Sequence, residues 1–381
     1  MAGLYVKDIQ STAADFGKGS QRDLLDAITM VDAKETPFMA MVPKGSAPIN
    51  ALFEWPVDIQ ETPGDNAVVD GTDVSSYDNA QGSYNVLSNR VQWFRRQAKI
   101  GKLAQNVQNQ AGIKDHYAYA VQKKLMQVKR DAEVRFCSAN VGRDSGDDLW
   151  YSAKAAANVG DAATTASKTR GLGEFLNTLT NDTGLDGTGF ECPASNTLGR
   201  EHNGSAWAGT EVNADAVTES DVEGILQSLY EETGQTQNLT LLCGPNLKKR
   251  FKDFTQTQFS AGNQASSIRT YNADLKDKRI ISTVDVYEGD FGTLELVPTL
   301  WNNYNFPSDG IGGTIDPDAA NYNKGTGYIL DMNLLELRFN QLPQVQELPD
   351  TGGGRRFAVD MIAGLCVKNP KGLGAIFAKA S

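Results

Sequence analysis

The sequence has 381 residues, of which 37 are glycine, and its formal net charge is −11. This length is enough for two or three cores at about 100–200 residues per domain. The acidic balance argues against broad electrostatic binding of nucleic acid, because such binding depends on Lys and Arg side chains that neutralise phosphates.

The sequence shows no targeting, membrane or disulfide signal. Its first residues, MAGLYVKDIQSTAADF, lack the basic start and apolar core of a signal peptide. The best apolar run, FAVDMIAGLCV, is interrupted by Asp360 and is shorter than the roughly 18 apolar residues that predict a membrane span. The four cysteines have no Cys-x-x-Cys spacing, which favours reduced thiols in a cytoplasmic setting over a disulfide framework or a zinc site.

Residues 1–50 are predicted to form an arm. An amphipathic stretch, QRDLLDAITM, leads into ETPFMAMVPKG at residues 35–45. Pro37 and Pro43 restrict the residues before them, so this segment is predicted to be extended. Its apolar side chains have no partner within the arm and need one elsewhere; they are Phe38, Met39, Met41 and Val42.

Residues 53–98 are predicted to form one long β-hairpin. Alternating apolar residues mark a first strand at ALFEWPVDIQ and a second strand at RVQWFRRQAKI. The residues between them are polar and contain turn signals such as Pro63-Gly64 and Asp70-Gly71. Each arm of the hairpin reaches about 60 Å at about 3.3 Å per residue. Because a lone two-stranded hairpin is at best marginally stable in water, it must lie on another surface.

The strongest helix signal lies at residues 115–139, where Asp115 suits the N-cap. Spacings of three and four place the apolar residues on one helical face, formed by Tyr117, Val121, Leu125, Val128, Ala132, Phe136 and Ala139. We expect this rod of about 37 Å to lie along a surface. Its opposite, polar face is predicted to carry Lys123, Lys124, Arg130 and Glu133.

The rest of the chain predicts an inserted loop and then a compact α/β block. Residues 142–170 are rich in Ala, Gly, Asp and Thr and are predicted to be the loop. In the block, a helix at TESDVEGILQSLYEETG has Thr218 or Ser220 as its cap and Gly234 as its stop. A buried strand at LTLLCG, a second helix at NLKKRFKDFT and further strands follow. The tail holds a long strand and its return, RRFAVDMIAGLCVKNPKGLGAIFA.

No set of residues predicts catalysis, cofactor binding or a metal site. The two histidines, His116 and His202, lie at a helix start and in a Gly-rich loop, where a solvated side chain is the usual case. GDFG at 289–292 lacks every companion motif of a kinase, and TGGGRR lacks the Lys-Ser/Thr of a phosphate loop. NDTGLDGTGFE fails the ligand pattern of a calcium loop.

Two basic clusters leave alternatives open. WFRRQAK interleaves aromatic and cationic residues, as proteins that bind single-stranded nucleic acid do. It lies on a predicted strand, however, and there a contact between subunits is the favoured interpretation. KKRFK at 248–252 favours a solvated helix face, with a subunit interface as the alternative.

The order of these parts resembles the major capsid proteins of tailed bacteriophages, which have the Hong Kong 97-type fold. The likeness covers nearly the whole chain and is carried by TPFMAMVPKG, FEWPVD, QWFRRQAKIGKLAQ, KRDAE and LCVKNPKG. The resemblance implies an α+β fold in five parts. These are an N-terminal arm at 1–52, an extended β-hairpin loop at 53–98, a peripheral domain at 99–215 with a long spine helix at 114–140, an axial α/β domain at 216–340, and returning strands of the peripheral domain at 341–381.

The resemblance also implies a function. A structural protein of this kind assembles in the host cytoplasm into hexamers and pentamers, which close into the icosahedral head of a virion. The head encloses double-stranded DNA without sequence-specific contacts and without a membrane. The implied partners are copies of the same chain, a portal, and a scaffolding protein, expected to be separate because the arm is short. A nanocompartment shell protein with the same fold and an acidic α/β enzyme are the alternatives.

Eight residues are expected to make subunit contacts: Phe38, Met39, Met41, Trp55, Trp93, Phe94, Arg95 and Arg96. The three arm residues are expected to dock in an apolar groove beside the spine helix or on an adjacent subunit, so that deletion of residues 35–45 abolishes shell formation. The three aromatic residues that follow are expected to hold the base of the hairpin. The two arginines are expected to pair with carboxylates across the interface.

Covalent cross-linking of the shell is predicted to be absent. Some members of the resembled family join subunits through a lysine of the hairpin, and here no lysine lies between Lys44 and Lys99. The strength of the shell is therefore expected to come from noncovalent contacts, alone or with a separate cement protein.

Overall fold

A computed structural model describes the chain over residues 35–59, 63–74, 77, 83–102, 115–138, 169–176, 192–199, 201–202, 207–208, 210, 212–234, 237–254, 256–261, 264–269, 272–274, 279–281, 284–302 and 324–379. Its α-helices are α1 (Pro37–Met41), α2 (His116–Phe136), α3 (Leu172–Phe175), α4 (Glu219–Thr233) and α5 (Pro245–Phe254). Short 3-10 turns lie at Ala194–Asn196, Ala214–Ala216, Met332–Leu334 and Pro370–Gly372.

The strands are β1 (Leu52–Ile59), β2 (Ser83–Arg90), β3 (Gln92–Lys99), β4 (Thr197–Gly199), β5 (Glu201–His202), β6 (Trp207–Ala208), β7 (Val212–Asn213), β8 (Gln237–Cys243), β9 (Gln256–Ala261), β10 (Gln264–Arg269), β11 (Asn272–Asp274), β12 (Arg279–Ile281), β13 (Val286–Gly289), β14 (Gly292–Pro298), β15 (Gly327–Leu330), β16 (Leu335–Leu348), β17 (Arg356–Val367) and β18 (Gly374–Lys379). The mixture of helices and sheets confirms the α+β class. Of the predicted loop at 142–170, residues 142–168 lie outside the described residues, and Thr169 and Arg170 are buried.

The hairpin is shorter than predicted. β1 pairs with β2 in antiparallel register, with Trp55 opposite Leu87. The prediction that RVQWFRRQAKI is the returning strand is wrong, because β3 leaves the hairpin and pairs with β17. The alternating pattern of β3 is common to any half-buried strand and does not specify its partner. The alternation of apolar residues does not predict β2, because its buried positions include the polar residues Ser88 and Asn89.

A three-stranded antiparallel sheet, in the order β16-β17-β3, supports the long helix α2. The predicted helical stripe is confirmed: Val128, Ala132 and Phe136 are buried, and the preceding apolar residues of the stripe pack against the same core. Ala139 lies outside the described residues. Asp115 is the N-cap, and its side chain accepts a hydrogen bond from the Tyr117 N–H at 2.8 Å.

A seven-stranded mixed sheet forms the second layer, in the order β13-β14-β8-β15-β18-β4, with β7 also paired to β18. Both faces of this sheet are buried. Along β18, Ala375 and Phe377 face the core that contains α2, whereas Ile376 and Ala378 face a second core formed with α4 and α5. This explains the continuous apolar runs of the central strands, because a strand covered on both faces has no polar side.

The predicted domain boundaries do not coincide with these sheets. β4 and β18 belong to the seven-stranded sheet although they lie outside 216–340, and β16 begins within that range but belongs to the sheet under α2. The chain therefore passes between the two layers several times. The capping of α4 is as predicted: Thr218 forms a capping box with Asp221, and Gly234 ends the helix in the left-handed conformation, at φ 69°.

Candidate subunit-contact surface

The segment between the two prolines is helical, so the prediction of an extended arm at residues 35–45 is wrong. Pro37 occupies the first position of α1, where its missing N–H costs no hydrogen bond. The restriction imposed by each proline falls on the residue before it. Accordingly Thr36 has φ −127° and ψ 76°, and Val42 has φ −69° and ψ 131°.

The amino end of α1 is bound by a carboxylate of α2. The N–H groups of Phe38 and Met39 donate to Glu133 Oε1 and Oε2, at 2.7 and 2.8 Å. Free N–H groups at a helix start favour a negative charge, but Glu133 is fully buried. Burial raises the pKa of Glu133 to about 7, although the two N–H donors act in the opposite direction.

The prediction that Glu133 lies on the polar face of α2 is wrong. Glu133 precedes Phe136 by three residues, and residues three apart share a helical face. This spacing is the one sequence signal that Glu133 is buried. It does not predict the N–H groups of Phe38 and Met39, whose hydrogen bonds to the carboxylate offset part of the cost of its burial.

The apolar side chains of the arm dock beside α2 within the same chain. Phe38 is fully buried, with its ring centroid 6.4 Å from that of Phe136. Met39 and Met41 are half-buried against the same core. Further along, the Gly45 N–H donates to the carbonyl of Leu337 at 2.9 Å, and Leu337 donates back to Pro43 at 2.9 Å. Of the two predicted docking places for Phe38, the structure therefore supports the groove beside α2.

The base of the hairpin is held by aromatic packing. Trp55 is buried, stacks on Phe53 at 5.6 Å, and donates from Nε1 to the carbonyl of Val367 at 3.0 Å. A Cβ added at Gly364 of β17 would lie 2.7 Å from the Phe53 ring, so glycine is needed for this close approach. Trp55 thus lies at the base of the hairpin, and the partners that the structure gives it belong to its own chain.

The tip of the hairpin, unlike its buried base, is exposed to solvent. We call residues 63–74 the hairpin tip; every one of them is exposed. It bears Val68, Val69 and Val74, whose exposed fractions are 76%, 79% and 70%. It also bears three carboxylates, at Asp65, Asp70 and Asp73. Three exposed valines therefore lie on a loop whose base is fixed.

Trp93 and Arg95 lie on the face of the three-stranded sheet that points away from α2. Arg95 binds Asp360 through two hydrogen bonds of 2.7 and 2.9 Å, and its guanidinium lies 4.1 Å from the centroid of the Trp93 ring. The hydrogen bond from Arg95 lowers the pKa of Asp360, which is buried. Trp93 remains 56% exposed. These contacts hold an exposed tryptophan and an arginine in fixed positions.

The two predicted arginine pairs form within one chain, not across an interface. Arg96 binds Asp131 of α2 through hydrogen bonds of 2.6 and 2.8 Å. Phe94 is also internal, since it is buried with its ring 6.1 Å from that of Phe136. The sequence could not show this, because the carboxylate partners lie 35 and 265 residues away along the chain. Of the eight predicted contact residues, Phe38, Trp55 and Phe94 are interior, and the other five reach the surface.

The described part of the chain contains no cluster of three or more His, Cys, Asp or Glu residues placed to hold a metal ion. No helix within it is long and apolar enough to cross a membrane. All four cysteines are buried, as thiols. One groove, of about 380 Å³, lies between the start of α1 and the start of α5.

Comparison with known proteins shows what this arrangement is similar to. The family model described as "SU10 major capsid protein" matches residues 8–380. No curated protein matches the sequence. Among solved structures, the capsid of a native GTA particle has a TM-score of 0.56 at 9% identity, over 97% of this chain and 98% of that one. The capsid of cyanophage P-SCSP1u has a TM-score of 0.54 at 12% identity, over 100% and 95%.

A third solved structure, the capsid of cyanophage A-1(L), has a TM-score of 0.54 at 13% identity, over 94% of this chain and 97% of that one. At such low identity these structures establish the fold alone, and that fold is the one found in phage capsids. The family consists of capsid proteins and not of enzymes. Because its model covers almost every residue, the chain belongs to the SU10 major capsid protein family.

Proposed function

We propose that copies of this chain assemble into hexamers and pentamers that close into an icosahedral head around double-stranded DNA. The observation that carries the proposal is the hairpin tip, with three valines at least 70% exposed on a loop whose base is fixed. A Val side chain that becomes fully buried contributes about 1.5–3 kcal/mol. Burial of three such residues on every copy therefore favours contacts in which one copy covers the hairpin tip of another.

The proposal assigns a place in the head to each part. In it, α2 is the spine helix, the sheet under α2 belongs to the peripheral domain, and the seven-stranded sheet with α4 and α5 forms the axial domain of a Hong Kong 97-type fold. Assembly takes place in the host cytoplasm, with a separate scaffolding protein, a portal and, where the shell needs reinforcement, a cement protein. The formal charge of −11 is consistent with a shell that encloses DNA without binding it strongly.

The hairpin tip provides the test. Replacing Val68, Val69 and Val74 by Ser removes apolar side chains that are mostly exposed in the single chain, so its thermal midpoint is expected to stay nearly unchanged. We expect this variant to form no closed shells under conditions in which the unaltered chain does, as judged by negative-stain microscopy and light scattering.

A matched control changes two polar residues of the same loop, Asn66→Ser and Thr72→Ser, which leaves the valines in place. The control is expected to assemble normally. Closed shells from the triple Val→Ser variant at the same yield would show that the tip is not a contact between copies.

A further inference from the structure

Two helices of the axial layer carry opposite charges. α4 contains five carboxylates and no cation, and the last two carboxylates, Glu231 and Glu232, lie in its final turn. α5 contains four cations against one carboxylate, and Lys248, Lys249 and Arg250 lie in its first two turns. Both placements oppose the helix dipole, since an acid at a helix end and a base near a helix start are unfavourable.

Most of these charges have partners within the chain. Glu232 is bound by Lys371 at 3.2 Å, Lys248 binds Asp285 at 3.1 Å, and Arg250 donates to the carbonyl of Val217 at 2.7 Å. Two exposed groups, Glu231 and Lys249, differ in that no ion pair is found for them among the described residues. The contact found for Glu231 is with Gln227 of its own helix, at 2.9 Å, and Lys249 forms no ion pair with any residue that the structure describes.

Each of these two groups lies beside an apolar feature. Lys249 follows Pro245 by one helical turn and therefore lies on the same side of α5. That side borders the groove of about 380 Å³, whose lining includes Pro37, Pro245, Pro298, Leu300 and Trp301. Leu300 is 50% exposed. Beside Glu231, Tyr230 is 40% exposed and packs on Phe291, with ring centroids 5.7 Å apart.

We propose that the last turn of α4 in one copy docks on the first half of α5 in a second copy. Glu231 pairs with Lys249, and Tyr230 enters the groove. This contact rests on the proposed self-assembly and names the surfaces that join copies in the axial layer. A contact of α4 with α4, or of α5 with α5, would bring like charges together, so α4 of one copy meets α5 of the other, and we place successive copies head-to-tail. Head-to-tail contacts repeated around an axis close into a ring.

Charge exchange tests the pairing. Lys249→Glu and Glu231→Lys change exposed side chains, so each variant is expected to keep the thermal midpoint of the unaltered chain. Each is expected to lower the assembled fraction about ten-fold, because it places like charges at every contact. The double variant is expected to assemble again, because it restores a pair of opposite charges at every contact. Lys123→Glu, an exposed reversal on α2, is the control and is expected to assemble normally.

Normal assembly of both single variants, or failure of the double variant to recover, would overturn the pairing and leave the proposed function intact. Normal assembly of Tyr230→Ala would show that another occupant fills the groove, which also overturns the proposal. If the unaltered chain forms neither rings nor shells, the proposed function fails first and this contact fails with it.

Discussion

Replacing Phe38 by Ala is expected to lower the free energy of unfolding by about 3–5 kcal/mol, the usual range for a buried phenylalanine. Phe38 is the buried residue of α1, and its ring packs against Phe136 of α2. Its loss leaves α1 held by the two hydrogen bonds to Glu133 and by half-buried methionines. We therefore expect α1 to detach, and shell formation to fall as it would on deletion of residues 35–45.

Urea unfolding of the unassembled chain measures the loss of unfolding free energy, and negative-stain microscopy measures the loss of shell formation. Met41→Ala is the matched control. Because Met41 is only half-buried, its truncation is expected to cost clearly less. Equal losses from Phe38→Ala and Met41→Ala would show that Phe38 has no special part in docking the arm.

The stability of the chain is expected to fall between pH 5 and pH 8 because of Glu133. Burial raises the pKa of this carboxyl to about 7 from its ordinary value of 4.5, so the folded chain binds a proton that the unfolded chain has released. The resulting stabilisation is complete below pH 4.5 and is lost as the pH rises through 7. Its size is about 3 kcal/mol.

Glu133→Gln removes the titrating group and is the control for this pH dependence. Urea unfolding at pH 5, 6, 7 and 8 is expected to give a falling free energy for the unaltered chain and a flatter profile for the variant. Asp360 and Glu336 do not interfere, because their pKa values are lowered and their contributions change only below this window. Parallel profiles for the two chains would contradict the assignment.

Local periodicity predicted the elements that are one-sided and regular. The stripe of α2, the N-cap at Asp115, the caps of α4 and the buried strand β8 followed from spacing and capping residues alone. Local periodicity does not predict which strands pair with each other. The alternation in RVQWFRRQAKI fits a hairpin and an interior sheet equally well, and only the apolar surface of β17 decides between them.

The candidate contact residues show a second limit. A sequence pattern reports that a side chain needs a partner but not which molecule supplies it. Phe38, Trp55 and Phe94 find their partners within the chain, and so do both arginines. The valines of the hairpin tip lie in a stretch dominated by turn signals, so the sequence pattern does not predict their exposed fractions of 70% or more.

The mass of the purified full chain in solution tests the central claim most directly. Light scattering, with negative-stain images of the same sample, is expected to show rings of several copies or closed shells of megadalton mass. A single species of 41.2 kDa at every protein concentration, with no shells in the images, would contradict the account.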